Sequence, residues 1–332
     1  MFITRRFDES SKCYVFFNTR THRIVNNPWL TELYIPPAYT NVVISENPNN
    51  KVLAIGEDSK GRKQYIYNKD YIQEQKELKF SDLKVFGSKL KRIRRDYMSH
   101  IVSYSNSKKC LNKLLSLEYQ IALALFLLDR CNFRVGNQKY KDLYKSYGVT
   151  TLNSTHILLN KNNIRIRFIG KKGVENTSLI SNKYVMIFLR DLKLINESRE
   201  YLFSYRDSKG IFYRLTEKHI NSHLKKYDSS LSVKMFRTWN ANYNLLRELL
   251  NLEYPVSQKQ TKKNIRVAIM KSAKALHHTS NVSKKSYMSN EILEMYQNDP
   301  EKFYKLLMKF KKSNGELPTI DRLLALLLKA VN

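Results

Sequence analysis

The sequence predicts an α+β fold: a small β-rich N-terminal domain, then a larger, mostly α-helical domain carrying a three-stranded β insert. Three observations predict it. Residues 1–70 hold short β-branched or aromatic runs separated by Asn, Pro, Gly and Ser. From about Tyr71 the texture changes to long charged and apolar stretches at helical spacing. Between residues 156 and 180 the apolar period returns briefly to two. At 332 residues the chain is long enough for two domains with proper cores.

In the first domain YVFF (14–17), NVVIS (41–45), KVLAI (51–55) and KQYIY (63–67) read as strands. The expected division is 1–78 for a β-rich domain, 79–90 for a hinge and 91–332 for the helical domain. KVFGSKLKRIRRDY (84–97) gathers basic residues at that junction, where they can follow phosphates or form a solvated helical face. Farther on, Leu117, Ile121, Leu125 and Leu128 make one apolar stripe over LEYQIALALFLLDRC. HILL (156–159) and IRIRFIG (164–170), separated by NKNN, read as a hairpin. Its second arm alternates Ile164, Ile166 and Phe168 with Arg165 and Arg167, the pattern of a half-buried strand. GKKG (170–173) then turns into a third strand near 177–180, and the remainder is mostly helical. Asp299-Pro300-Glu301 combines an N-cap, a proline at the first helical position and a first-turn acid. RLLALLLKA (322–330) forms the last helix.

Charge narrows the function. Lys+Arg 59 against Asp+Glu 29 gives a formal +30, a self-repelling excess that a polyanion relieves. Nucleic acid is the leading partner, ahead of a membrane surface, for which there is neither a lipidation signal nor a compact polybasic amphipathic helix. MFITRRFDESSK has no apolar core that would make it a signal peptide, and IALALFLL (121–128) is far too short to span a bilayer. Cys13, Cys110 and Cys131 are scattered, which fits a reducing compartment better than a disulfide framework or a zinc site. Seven dispersed histidines, with no H-E-x-x-H, C-x-x-C or P-loop, argue against metal- or nucleotide-driven chemistry, and no cofactor is expected.

Cutting a phosphodiester without metal needs a nucleophile, cations for the charge developing on the non-bridging oxygens, and an acid for the departing oxygen. Candidates occur in chain order. Arg134 lies in CNFRVGNQKY, where the plain alternative is an arginine neutralising a helix C-terminus. Lys171 sits in the GKKG turn, where most lysines are simply solvated. Arg237 stands in VKMFRTWNANYNLL with Lys234 three residues before it. His278 and Tyr287 are nine residues apart in HHTSNVSKKSYM (277–288), and among 22 tyrosines no single one is distinguished by type alone.

Together, an arginine, a lysine on a β-turn, K-x-x-R, then H-T and S-K-K-S-Y-M resemble the type IB DNA topoisomerases, most closely the compact poxvirus-type enzymes. EDSKGRKQYIYNKDY (57–71) is similar to that family's DNA-facing strand segment, so the resemblance covers nearly the whole chain. It implies that Tyr287 attacks the scissile phosphate, leaving a 3′-phosphotyrosyl bond and a free 5′-OH. Arg134 and Arg237 then grip phosphate oxygens, His278 donates a hydrogen bond to one of them, and Lys171, helped by Arg134, protonates the departing 5′ oxygen. Rotation of the free duplex end and religation relax supercoiled duplex DNA without ATP or metal. More loosely, the resemblance puts Gln64, Tyr65 and Tyr67 on a strand facing the major groove and Arg62 on phosphate. Lys139 and Tyr140 approach the duplex, and Lys284 reads the backbone or a nearby base. For Tyr65 and Tyr67 the alternative is ordinary sheet packing.

The chain departs from the family pattern at three places. His277 stands where glycine usually precedes the histidine. R-x-G-K-x-K-Y becomes Arg134-Val135-Gly136-Asn137-Gln138-Lys139-Tyr140, which loses a lysine and bears on the target preference of the poxvirus enzymes. After Arg237-Thr238 the family's Tyr-Gly is Trp239-Asn240. The resemblance further implies a monomer without an obligate protein partner, working in a virion or host cytoplasm. Two other readings stay open: a tyrosine recombinase, which commonly has histidine at the position of Lys234, and a non-catalytic basic DNA-packaging protein.

Overall fold

The structure, a computed structural model, describes residues 2–107, 110–312 and 319–330. The chain divides into two compact units, Met1–Lys79 and Phe80–Asn332. The first contains β1 (Phe2–Asp8), β2 (Cys13–Asn18), α1 (Pro28–Glu32), β3 (Thr40–Ser45), β4 (Val52–Glu57) and β5 (Lys63–Tyr67). Its strands form one sheet in the order β2-β1-β3-β4-β5, every pairing antiparallel. Ile3, Leu30, Ile35, Val42, Ile44 and Ala54 form the core, with Ile66 packed against it. Helix α1 starts where Asn27 accepts from the Trp29 N–H and Pro28 takes the first helical position.

Strand β1 is absent from the expected strands because FITRRFD has two arginines where the apolar alternation should continue. Arg5 is held by the fold itself. Its guanidinium donates to the carbonyls of Ile35 and Pro36 at 2.8 and 2.6 Å and lies 4.0 Å from the Tyr14 ring centroid. A charged residue thus satisfies loop carbonyls within a sheet, something no periodicity encodes.

The frame of the second unit is the part of α2 (Lys69–Asn106) from Phe80 onward, whose Phe80, Leu83, Phe86, Leu90, Ile93, Tyr97, Ile101 and Tyr104 are buried at spacings of three or four. Residues 79–90, the expected hinge, lie inside this helix. After α3 (Leu111–Leu114) comes α4 (Leu117–Arg130), which is buried far beyond the expected stripe: Ile121, Ala122, Leu123, Ala124, Leu125, Leu127, Leu128 and Asp129 are all inside. A helix apolar on nearly every side belongs in the middle of a domain. Buried Asp129 accepts from Arg94 Nε and Nη2 at 2.8 and 2.9 Å and from the Tyr97 hydroxyl at 2.8 Å, as a buried charge requires.

Next come α5 (Gln138–Tyr144) and the β insert, β6 (Ile157–Leu159), β7 (Ile164–Ile169) and β8 (Glu175–Ile180), an antiparallel sheet in that order. Strand β7 buries Ile164, Ile166 and Phe168 and exposes Arg165 and Arg167, as its alternation predicts. Helix α6 (Lys183–Ile195) is followed by a hairpin the sequence does not announce, β9 (Ser204–Arg206) and β10 (Phe212–Arg214), three residues each and too short for a periodic signal. The remaining elements are α7 (Glu217–Leu224), α8 (Lys234–Asn251), α9 (Gln258–Ala275), α10 (Ser280–Ser286), α11 (Asn290–Asn298), α12 (Pro300–Lys312) and α13 (Ile320–Ala330). Asp299 caps α12 as expected, accepting from the Lys302 N–H at 2.8 Å. None of the described helices is long and apolar enough to cross a membrane.

Candidate active site

Arg134 follows the end of α4, where Asn132 adopts a left-handed φ of 55° and turns the chain. Its backbone is pinned by a close approach to the 148–150 segment: Val149 N–H donates to the Arg134 carbonyl at 2.9 Å and Thr150 N–H to the Val135 carbonyl at 2.7 Å. Gly136 (φ 94°) and Gly148 make that approach possible, since a Cβ on Gly148 would lie 2.5 Å from Gly136 N. Arg237 is on the first turn of α8 and is buried. It donates to the Asn132 carbonyl, to the Leu276 carbonyl at 2.6 Å and to His278 Nε2. Its Nε–H is buried with no partner among the described residues.

His278 is brought in by the way α9 ends. His277 N–H donates to the Lys274 carbonyl at 3.1 Å and His278 N–H to the Ala273 carbonyl at 2.9 Å, the paired bonds of a Schellman cap. Such a cap needs a left-handed residue at its turning point, and His277 has φ 53°. This accounts for glycine being usual at the corresponding place in the resembling family. The His278 imidazole then meets Arg134 Nη2 at 2.8 Å through Nε2 and Ser283 Oγ at 3.3 Å through Nδ1.

Tyr287 closes α10, with its ring 4.7 Å from that of His278 and 5.9 Å from the Arg237 guanidinium carbon. Helix α8 holds this segment: Asn242 Nδ2 donates to the Tyr287 carbonyl and Asn242 Oδ1 accepts from the Ser289 N–H, both at 2.8 Å. Asn240 braces the other side, donating to the Asp129 carbonyl at 2.6 Å and to Asn132 Oδ1 at 2.8 Å. Sequence reasoning missed Asn132, Asn240, Asn242 and Ser283. A signal existed in NANYN (240–244), three asparagines inside a helix where they are poor formers. All three are buried.

Arg134, Arg237, His278 and Tyr287 therefore meet in one place. Lys171 stands exposed on the β7–β8 turn, near enough for its charge to act on His278. Burial, then the charges of Arg237, Arg134, His277 and Lys171, push the His278 imidazole down to about 3. Arg237 is lowered to about 10, by burial first and then by Arg134, with Tyr287 opposing. Arg134 is lowered by burial, again against Tyr287.

The other expected contact residues are dispersed. Lys139 and Tyr140 are exposed on the first turn of α5, which Asn137 caps, and Lys284 is exposed on α10. In the N-terminal unit β5 is an edge strand. Tyr65 and Tyr67 are exposed on one face, with rings stacked at 6.3 Å. Alternation turns Gln64 to the opposite face with Ile66, and its amide donates to Asp58 Oδ2 at 2.9 Å. The three residues do not share a surface. Arg62 also binds Asp58, at 2.6 Å.

A model of the eukaryotic DNA topoisomerase I catalytic core matches residues 68–314. The chain belongs to the type IB DNA topoisomerase family. A model of the bacterial DNA topoisomerase IB N-terminal domain matches residues 17–58. DNA topoisomerase 1B of Acanthamoeba polyphaga mimivirus is 33% identical over 296 residues, 87% of this chain and 85% of the relative. DNA topoisomerase I of monkeypox virus is 28% identical and DNA topoisomerase 1B of vaccinia virus (strain Copenhagen) 27%, each over 271 residues and 80% of both chains. The protein is accordingly an enzyme, an isomerase of the type I DNA topoisomerases.

Proposed function

We propose that this enzyme relaxes supercoiled duplex DNA through a 3′-phosphotyrosyl intermediate formed on Tyr287. The phenolic oxygen attacks the scissile phosphorus, the bond to the 5′ oxygen breaks, and strand rotation precedes religation by the reverse step. One proton leaves the phenol and one reaches the 5′ oxygen, so cleavage neither consumes nor releases protons overall. Arg134 and Arg237 hold the non-bridging oxygens, for which a guanidinium fork is suited because it donates bidentately and stays charged. His278 donates to one of those oxygens, and Lys171 protonates the departing 5′ oxygen, helped by Arg134.

The observation that carries this reading is the convergence of His278 on both arginines beside the Tyr287 ring, Arg134 lying 144 residues and Arg237 41 residues from it in the chain. Arg62, Tyr65 and Tyr67 of the 1–78 domain, with Lys139, Tyr140 and Lys284 of the 91–332 domain, contact the duplex, while Gln64, turned to the other face of its strand, stays with Asp58. The enzyme works as a monomer, in a virion or host cytoplasm. The deciding experiment is Tyr287→Phe on supercoiled plasmid. Relaxation and covalent protein–DNA adduct are expected to vanish while duplex binding persists; an adduct that survives would remove Tyr287 as the nucleophile.

A further inference from the structure

We propose that Ser283 is a positioning residue that allows His278 to exchange tautomers when a DNA phosphate enters the site, an inference that rests on the reading of His278 as a phosphate contact. Arginine has no acceptor atom. The contacts of His278 Nε2 with Nη2 of Arg134, at 2.8 Å, and Nη2 of Arg237 therefore make Nε2 an acceptor. A neutral imidazole whose Nε2 accepts carries its proton on Nδ1. That nitrogen lies 3.3 Å from the hydroxyl of Ser283, a fully buried side chain in α10, and donates to it. Burial first, then the charges of Arg237, Arg134, His277 and Lys171, keeps the imidazole neutral, and the Tyr287 ring lies against it.

His278 Nε2 thus sits where both guanidinium groups converge. A phosphate oxygen held by the same two arginines takes over as their acceptor, and the ring must then donate from the nitrogen that had been accepting. Adding a second proton would set an imidazolium beside Arg134, Arg237 and Lys171, against the single negative charge of a phosphodiester. Moving the proton from Nδ1 to Nε2 avoids this: one proton leaves, one arrives, and the ring stays neutral. The exchange leaves a bare lone pair on Nδ1 in a buried place. A hydroxyl meets both demands, because it accepts from Nδ1–H in one tautomer and, after rotating about its Cβ–Oγ bond, donates to Nδ1 in the other. A carbonyl could serve only the first and an amide N–H only the second.

The test is nitrogen NMR on 15N-histidine-labelled Tyr287→Phe enzyme, alone and bound to a short duplex carrying a mapped cleavage site. The Nδ1–H tautomer is expected in the protein alone and the Nε2–H tautomer in the complex. An imidazolium in the complex, or the same tautomer in both samples, overturns the proposal. In single-turnover cleavage Ser283→Ala should slow the wild-type background about tenfold, the scale of one hydrogen bond made to a reacting group's partner. Ser283→Thr should recover most of the rate. In a His278→Ala background Ser283→Ala should add less than about twofold; the full effect persisting there would make Ser283 a packing residue and overturn the proposal. If His278→Ala itself leaves cleavage unchanged, it is the phosphate-contact reading that fails, a result distinct from a slow His278→Ala enzyme whose tautomer does not change.

Discussion

Asn242 is how helix α8 reaches the segment that carries the nucleophile, and it shows what a single side chain contributes here. Its amide is fully buried and bridges the Tyr287 carbonyl and the Ser289 N–H, so the tyrosine's peptide is fixed against the helix that also bears Arg237. Removing it strands two backbone groups, at about 1–3 kcal/mol each. Asn242→Ala should lower the urea midpoint and slow single-turnover cleavage by more than tenfold, with duplex affinity changed little; unaffected cleavage would show that Tyr287 is aligned without α8. His278 makes a pH prediction. Its folded-state value, about 3, lies below the ordinary 6.5, so the folded state favours the neutral ring. Its contribution is complete above pH 6.5 and is lost as pH falls from 6.5 towards 3. The unfolding free energy of the catalytic unit should decline through that window, and less steeply in His278→Gln. Parallel curves for the two proteins would contradict the assignment.

At the scale of elements, the end of α9 decides the geometry of the site. The Schellman cap reverses the chain so that His278, four residues past Lys274, faces back towards Arg134 and Arg237. The cap needs a left-handed residue, and a non-glycine side chain there costs about 1–2 kcal/mol. His277→Gly relieves that strain but frees the unfolded chain, so stability should change by less than about 1 kcal/mol. His277→Val, β-branched in the same conformation, should lose about 1–2 kcal/mol. Urea titration of both variants checks this, and equal destabilisation would mean that the histidine ring, rather than the backbone, matters. A second element-level device replaces the family's Tyr-Gly with Trp239-Asn240. The Trp239 indole donates to Asp321 of α13 at 2.7 Å, and Gly87 of α2 leaves room for its ring, since a Cβ there would lie 2.4 Å from it. Arg94 ties the same Asp321 to Asp129 of α4. The departure in sequence is thus a repacking that docks the last helix on the one bearing Arg237.

For the whole molecule the dominant quantity is the +30 charge. If binding neutralises on the order of 6–10 phosphates, affinity for duplex should fall about 10³–10⁵-fold between 50 and 200 mM salt. Fluorescence anisotropy on a labelled duplex measures that slope. Tyr287→Phe should keep it, because a nucleophile is not a counterion-releasing contact, and a shallow slope would mark most of the excess as solvated surface. The charge, the fold class and the β7 alternation were legible from the chain alone, because burial and the choice of polyanion partner follow from local pattern and composition. The ordered motifs point to Arg134, Lys171, Arg237, His278 and Tyr287 through their resemblance to the family's pattern. Strand β1, the all-round burial of α4 and the Gln64 face were not legible, since each depends on what the rest of the fold lays against the segment. Only the tertiary structure decided which polar groups meet: Arg237 with the Asn132 carbonyl, Asn242 with the Tyr287 peptide, and Ser283 with the far nitrogen of His278. The physical reason is that periodicity records which side of an element leaves water, whereas a buried hydrogen bond is chosen by direction and distance between segments that only packing brings together.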